Sequence, residues 1–282
     1  MSRLSLPAGL ILAAITLAAV RPAAAITVIA QDDADNAAYS AAYSSGSNFN
    51  GLNGGTGFNA FSTAATLDPY GNYIKSGSPI GSGTDGKAFN LYNDDTEKRV
   101  DATRSFNFTN TGAGTTPLTV GSTFSADFKN LGIANGGFVG YTLRDTLGTT
   151  LFQFGFIGGT QNYFFGDGTT STDTGLFYTS GGLHTSVTLT APTTYSFSVQ
   201  RLSDASPTVF TSTLGAGGAI DRVVFSDIGG GKGSDTQFNN LSITGPDVTA
   251  APEPSQMAAL SICALGLGGL MLARRRQNMR LA

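Results

Sequence analysis

The chain carries one cysteine, one histidine and no tryptophan. Cys263 falls in an apolar stretch near the C-terminus, so residues 26–249 contain neither disulfides nor thiolate chemistry. A lone histidine without cysteine partners excludes the usual zinc ligand sets. Charge is scarce as well, at 12% of residues, about half the usual share of a soluble domain. Within residues 26–249, 10 basic residues stand against 18 acidic ones, a net charge of −8. No cluster of Lys or Arg is present there, which excludes partners recognised through phosphates, nucleic acid included. Glu97 is the single glutamate of that stretch. A hydrolase built on paired carboxyls would therefore have to use aspartates.

What is abundant is glycine, at 38 residues, with many Ser, Thr and Asn and 19 Phe. Gly, Ser, Thr and Asn are poor helix formers, whereas Thr, Phe, Tyr and Val favour strands and Gly and Asn favour turns. Alternation of polar and apolar residues recurs along the middle of the chain. Ser105–Phe108, Thr123–Phe128, Leu151–Phe156, Tyr195–Val199 and Gln237–Ile243 all show it. Phe152, Phe154 and Phe156 fall on one face. Ala88–Tyr92 and the spacing of Ile220, Val223 and Phe225 suggest two further strands. Period two means one buried and one wet face, and helical periods between the strands are missing. The expected fold is all-β, a two-sheet antiparallel sandwich over residues 26–249. The N-terminal third is looser. Asp32–Tyr43 has an irregular or weakly helical pattern, and Asn48–Gly57 reads as a loop. In a sandwich this third supplies edge strands and long loops.

Both termini carry separate signals. Residues 1–25 have Arg3, the apolar stretch Leu10–Val20 and Ala23-Ala24-Ala25. These are the n-region, h-region and small-x-small site of a signal peptide, with cleavage after Ala25 guided by Ala23 and Ala25. In residues 250–282, Pro252-Glu253-Pro254-Ser255 is followed by the apolar run Met257–Ala273 and by Arg274-Arg275-Arg276. As a helix that run would be roughly 25 Å long, near the lower limit for one membrane span. The three arginines would keep its end in the cytoplasm.

The C-terminal pattern resembles the PEP-CTERM sorting signal. By that resemblance Pro252, Glu253, Pro254 and Ser255 are the sorting motif, residues 257–273 the transmembrane helix and Arg274–Arg276 the stop. It implies an exosortase-type membrane transpeptidase as partner and a host that makes exopolysaccharide. It also implies an inner-membrane precursor facing the periplasm, then a surface or matrix location. The middle resembles secreted PEP-CTERM proteins with a jelly-roll, lectin-like (concanavalin-like) sandwich. The residues behind this are Ala34–Tyr39, Asn53–Phe58, Asn135–Leu143 and Phe238–Ile243. Phe58 and Phe61 stand where members of that group carry tryptophan near the Gly-rich loop.

Chemistry-bearing residues are few. His184 lies in the Gly-rich Gly181-Gly182-Leu183-His184, which reads as a loop, and no nucleophile-elbow motif accompanies it. Two acidic clusters carry the oxygen ligands calcium prefers: Asp32, Asp33, Asp35 and Asn36, then Asp94, Asp95 and Glu97. Neither has the EF-hand spacing. No cofactor is expected apart from this calcium option. The leading expectation is a non-enzymatic surface or matrix protein associated with polysaccharide. The alternatives are a calcium-dependent lectin-like module and an aspartate-dependent polysaccharide hydrolase.

Overall fold

The computed structural model describes residues 26–43, 48–65, 70–108 and 114–246. Ala23, Ala25, Pro252–Ser255, the 257–273 run and Arg274–Arg276 lie outside the described residues. Strands, numbered in chain order, form two sheets. The first runs β13 (Thr208–Thr213), β12 (Thr194–Arg201), β11 (Leu183–Ala191), β6 (Thr123–Asn130), β15 (Ser234–Pro246), β4 (Ala88–Asn93) and β3 (Tyr70–Lys75). β1 (Ile26–Asp32) also pairs with β15, along the half of it that β4 leaves free. The second sheet runs β10 (Ser171–Phe177), β9 (Asn162–Gly166), β8 (Thr150–Ile157), β7 (Phe138–Arg144), β14 (Arg222–Ile228), β5 (Arg99–Ser105) and β2 (Ser62–Ala65). The pairings are antiparallel throughout. The expected two-sheet antiparallel sandwich is thus what the chain forms.

Alternation decides which residues fill it. Phe124, Ala126 and Phe128 of β6 and Leu183, Thr185 and Val187 of β11 face inward and are buried. Phe152 and Phe154 are fully buried and Phe156 nearly so. Phe225 and Phe238 stack across the two sheets with centroids 3.8 Å apart and planes 4° apart. The Tyr141 hydroxyl, which also faces the core, donates to Thr185 Oγ1 at 3.0 Å. Phenylalanine does the filling that tryptophan would otherwise share.

The N-terminal third supplies edges, as expected: β3 and β2 end the two sheets and β1 flanks β15. Ala37–Ala42 forms a short 3-10 helix, with the Asn36 side chain accepting from the Ala38 amide. The Gly-rich run is less of a free loop than its composition suggests. Thr56 exchanges both backbone hydrogen bonds with Gln31 of β1, at 2.9 and 3.0 Å. Two other expectations are corrected. The strand placed over Ser105–Phe108 begins earlier and ends sooner: β5 stops at Ser105, and Phe106 extends the inward phase of Val100, Ala102 and Arg104 as an isolated bridge to Phe58. His184 is not a loop residue but the second residue of β11.

Candidate functional site

β11 and β6 pair so that His184 stands directly opposite Asp127. Both side chains are on the outer face, since their neighbours Leu183, Thr185, Ala126 and Phe128 face the core. His184 Nδ1 lies 2.7 Å from Asp127 Oδ1. The third member comes from β15. Between Asn239 and Ser242 the register against β6 slips by one residue, because Asn240 and Leu241 together oppose Ala126. This is a β-bulge, which turns a strand and re-aims a side chain. Asn240 takes φ +49°, and it is the one non-glycine residue with positive φ among those described. Asparagine tolerates this conformation better than most residues. The twist carries its amide outward, where Nδ2 donates to Asp127 Oδ2 at 2.7 Å. Both oxygens of one carboxylate are thereby held by side chains of two neighbouring strands.

A cleft of about 630 Å³ opens over this trio. Its floor includes Asp127, His184, Asn240 and Ser242, and its wall includes Asp33, Asn36 and Gly54–Thr56. Asn239 ties that wall down. Its amide donates to the Ile80 and Lys87 carbonyls at 3.2 and 3.0 Å and accepts from the Ala34 amide at 2.9 Å. Behind the wall, Arg104 Nη2 pairs with Asp32 at 2.9 Å, both side chains being wholly inaccessible. The guanidinium also donates to Asn53 Oδ1 at 2.9 Å and to the Tyr39 hydroxyl at 3.1 Å. Tyr39 in turn donates to Asp32 and accepts from the Gly54 amide. Burial pushes the Asp32 carboxyl up, against the pull of Arg104, and pushes the Tyr39 phenol up too. Phe58 and Phe61 flank the guanidinium, with centroids 5.1 and 4.3 Å from it. Both rings are buried core residues and present almost no surface to a ligand.

The cleft is polar and mainly acidic, with one titrating base. The Asp127 hydrogen bond holds the His184 pKa above its ordinary 6.5, outweighing burial, which lowers it. Stabilisation from the charged pair is then complete below the unfolded pKa and lost as pH rises through the higher folded value. Urea unfolding followed from about pH 5 to about pH 9 should show stability falling across that upper range. His184→Gln should flatten the fall, and identical profiles for the two proteins would refute the assignment.

In the two acidic clusters of the sequence, most of the side chains are engaged by neighbouring protein groups. Asp32 is engaged by Arg104 and Tyr39. Asp33 Oδ1 accepts from the Asp35 amide and the Ser82 hydroxyl. Asp35 pairs with Lys87 at 2.8 Å, and Asn36 caps the 3-10 helix. Asp94 accepts from the Gly233 amide and Asp95 from the Glu97 amide. Among the described residues no three His, Cys, Asp or Glu side chains come together as a group. Asp127 and Asn240 were not singled out by sequence. Their signals were the outward phase of Asp127 in an alternating strand and the Asn-Asn pair interrupting another.

No family model matches this chain, and no curated protein matches it in sequence. Solved structures share its general layout. A carbohydrate esterase from Shiga toxin-encoding bacteriophage phi24B is 14% identical, covering 79% of this chain and 100% of its own, with a TM-score of 0.46. A CBM2 module of the evolved Dit of Lactobacillus casei BL23 phage J-1 is 13% identical, covering 67% and 98%, with a TM-score of 0.42. The exoplasmic/lumenal domain of VIP36, solved with Ca2+ and Man3GlcNAc, is 9% identical, covering 71% and 88%, with a TM-score of 0.41. Likeness at this level says nothing of what this chain binds.

Proposed function

We propose that this chain is an exported surface or matrix protein whose sandwich holds neutral glycan in the cleft over Asp127, without catalysing a reaction on it. The carrying observation is the Asn240 bulge. A left-handed conformation is strained for most non-glycine residues and less so for asparagine, and such conformations gather where a side chain must be aimed. Here it points an amide at a carboxylate that a histidine already holds. Asp127 keeps unused lone pairs, and Asn240 and His184 keep a polar edge each. Together they present alternating donors and acceptors, which suit adjacent sugar hydroxyls. The acidic lining disfavours anionic ligands. Export and sorting rest on the two terminal patterns, and the PEP-CTERM resemblance supplies exosortase as the processing partner.

The test is affinity electrophoresis of the purified full chain through gels holding laminarin, dextran, hydroxyethylcellulose or galactomannan. Retardation by at least one is expected, with binding weakened about tenfold or more in Asp127→Ala, the effect of losing roughly 1.4 kcal/mol or more of contact. Asn240→Gly keeps the bulge but removes the amide, so it should fold normally and bind weakly. Passage through all four gels without delay would overturn the glycan reading. Loss of binding in chelator would favour the calcium-dependent lectin instead, and release of reducing ends would favour the hydrolase. For the address, intact mass of the protein from its native host should place the mature C-terminus near Pro252–Ser255. A mature chain still ending at Ala282 would refute sorting.

A further inference from the structure

A second concavity lies between Leu131 at the end of β6, Thr160 and Gln161 in the β8–β9 turn, and Phe177 and Tyr178 at the end of β10. It measures about 570 Å³, and none of its lining residues is charged. Phe156 forms part of its floor, with the Tyr178 ring 5.4 Å away and tilted by 50°. Phe177 is 58% exposed and Tyr178 40% exposed. Single exposed apolar residues are ordinary, but two consecutive aromatics at the rim of a groove are not.

The rim is held in place. The Tyr178 amide donates to the Gln161 carbonyl at 2.9 Å and its hydroxyl to the Asn130 carbonyl at 3.3 Å. Arg201 Nη2 donates to the Phe177 carbonyl at 3.1 Å. An aromatic surface ordered before a ligand arrives loses little entropy on binding.

We propose that this groove is a second binding site, for one or a few uncharged sugar rings stacked on Tyr178 and Phe177. One face of a pyranose is a patch of C–H bonds, which packs on the electron-rich face of an aromatic ring. Its edge carries hydroxyls, for which Thr160 and Gln161 offer partners at the rim. Charge weighs against an anion: none of the lining residues could pair with one, and the domain carries a net charge of −8. Position agrees too. Leu131 follows Asp127 by four residues on the same strand line, roughly 13 Å at about 3.3 Å per residue. The ligand class rests on the reading of the Asp127 cleft, whereas the groove itself does not depend on it.

The test is calorimetric titration of the full chain with cellohexaose, laminarihexaose and maltohexaose. Phe177→Ala and Tyr178→Ala should each weaken binding of at least one hexaose about fivefold to tenfold. Phe177→Tyr should restore it. Phe177 is largely exposed, so Phe177→Ala should leave the urea midpoint unchanged. In an Asp127→Ala background the dependence on Phe177 should persist. Hexaose binding abolished by Asp127→Ala but indifferent to both aromatic substitutions would refute the groove and leave the cleft standing. The reverse pattern would refute the cleft and leave the groove. A groove that takes a proline-rich peptide and no hexaose would also overturn the proposal.

Discussion

Replacing Arg104 with methionine is expected to lower the stability of the domain by about 3–5 kcal/mol, the cost of breaking a buried ion pair from one side. Arg104 occupies an inward position of β5, where Val100 and Ala102 precede it in the same phase. Its partner Asp32 ends β1, so the pair joins an edge strand of one sheet to the interior of the other. Without the guanidinium, a carboxylate with no access to water loses its counter-charge and keeps only neutral partners such as Tyr39. The cation also leaves its place between Phe58 and Phe61. The double replacement Arg104→Met with Asp32→Leu should cost far less than Arg104→Met alone. Arg104 Nε and Asp32 Oδ1 have no hydrogen-bond partner among the described residues, so the pair is incompletely satisfied to begin with. Apolar replacement of such a pair is often neutral or stabilising. Urea unfolding of the single and double variants decides it. A single substitution that costs under about 1 kcal/mol would mean the pair is not a buried charge pair in solution.

Gly57→Ala is expected to cost about 2–5 kcal/mol and to abolish glycan retention in the same protein. Two independent penalties meet there. Gly57 has φ +71°, which disfavours a β-carbon by about 1–2 kcal/mol. That carbon would also stand 2.4 Å from the Ile29 carbonyl and 2.6 Å from Ala30 Cβ. Overpacking of this kind costs about 1–3 kcal/mol because backbone must move. The backbone that moves carries Gly54–Thr56, the wall of the cleft. By contrast, Gly51→Ala meets a positive φ but open space, so it should cost only the smaller backbone share and leave retention intact. Equal effects of the two substitutions would refute the view that the Gly-rich run is a packed wall.

The sequence by itself determined the fold class and the composition of the core. Phe152, Phe154 and Phe156 show why: alternation is written in consecutive residues, and burial of one face follows from it. The same local signal placed Ala88–Tyr92, Thr123–Phe128, Tyr195–Val199 and Gln237–Ile243 on strands that exist. At Ser105–Phe108 it caught only the end of β5, because an inward arginine does not look like a core residue until its partner is known. It also left His184 in a loop, since the glycines before it resemble a turn although Leu183, Thr185 and Val187 continue the alternation.

The candidate site was beyond such reading. His184 and Asp127 are 57 residues apart, and Asn240 and Asp127 are 113 apart. Period two fixes the face on which each side chain stands, but not which strand lies beside it or in what register. Register is set by the fit of the whole core, and one extra residue between Asn239 and Ser242 decided where Asn240 points. Only the tertiary structure brings one carboxylate, one imidazole and one amide together, because their meeting is a property of strand pairing and not of any local stretch.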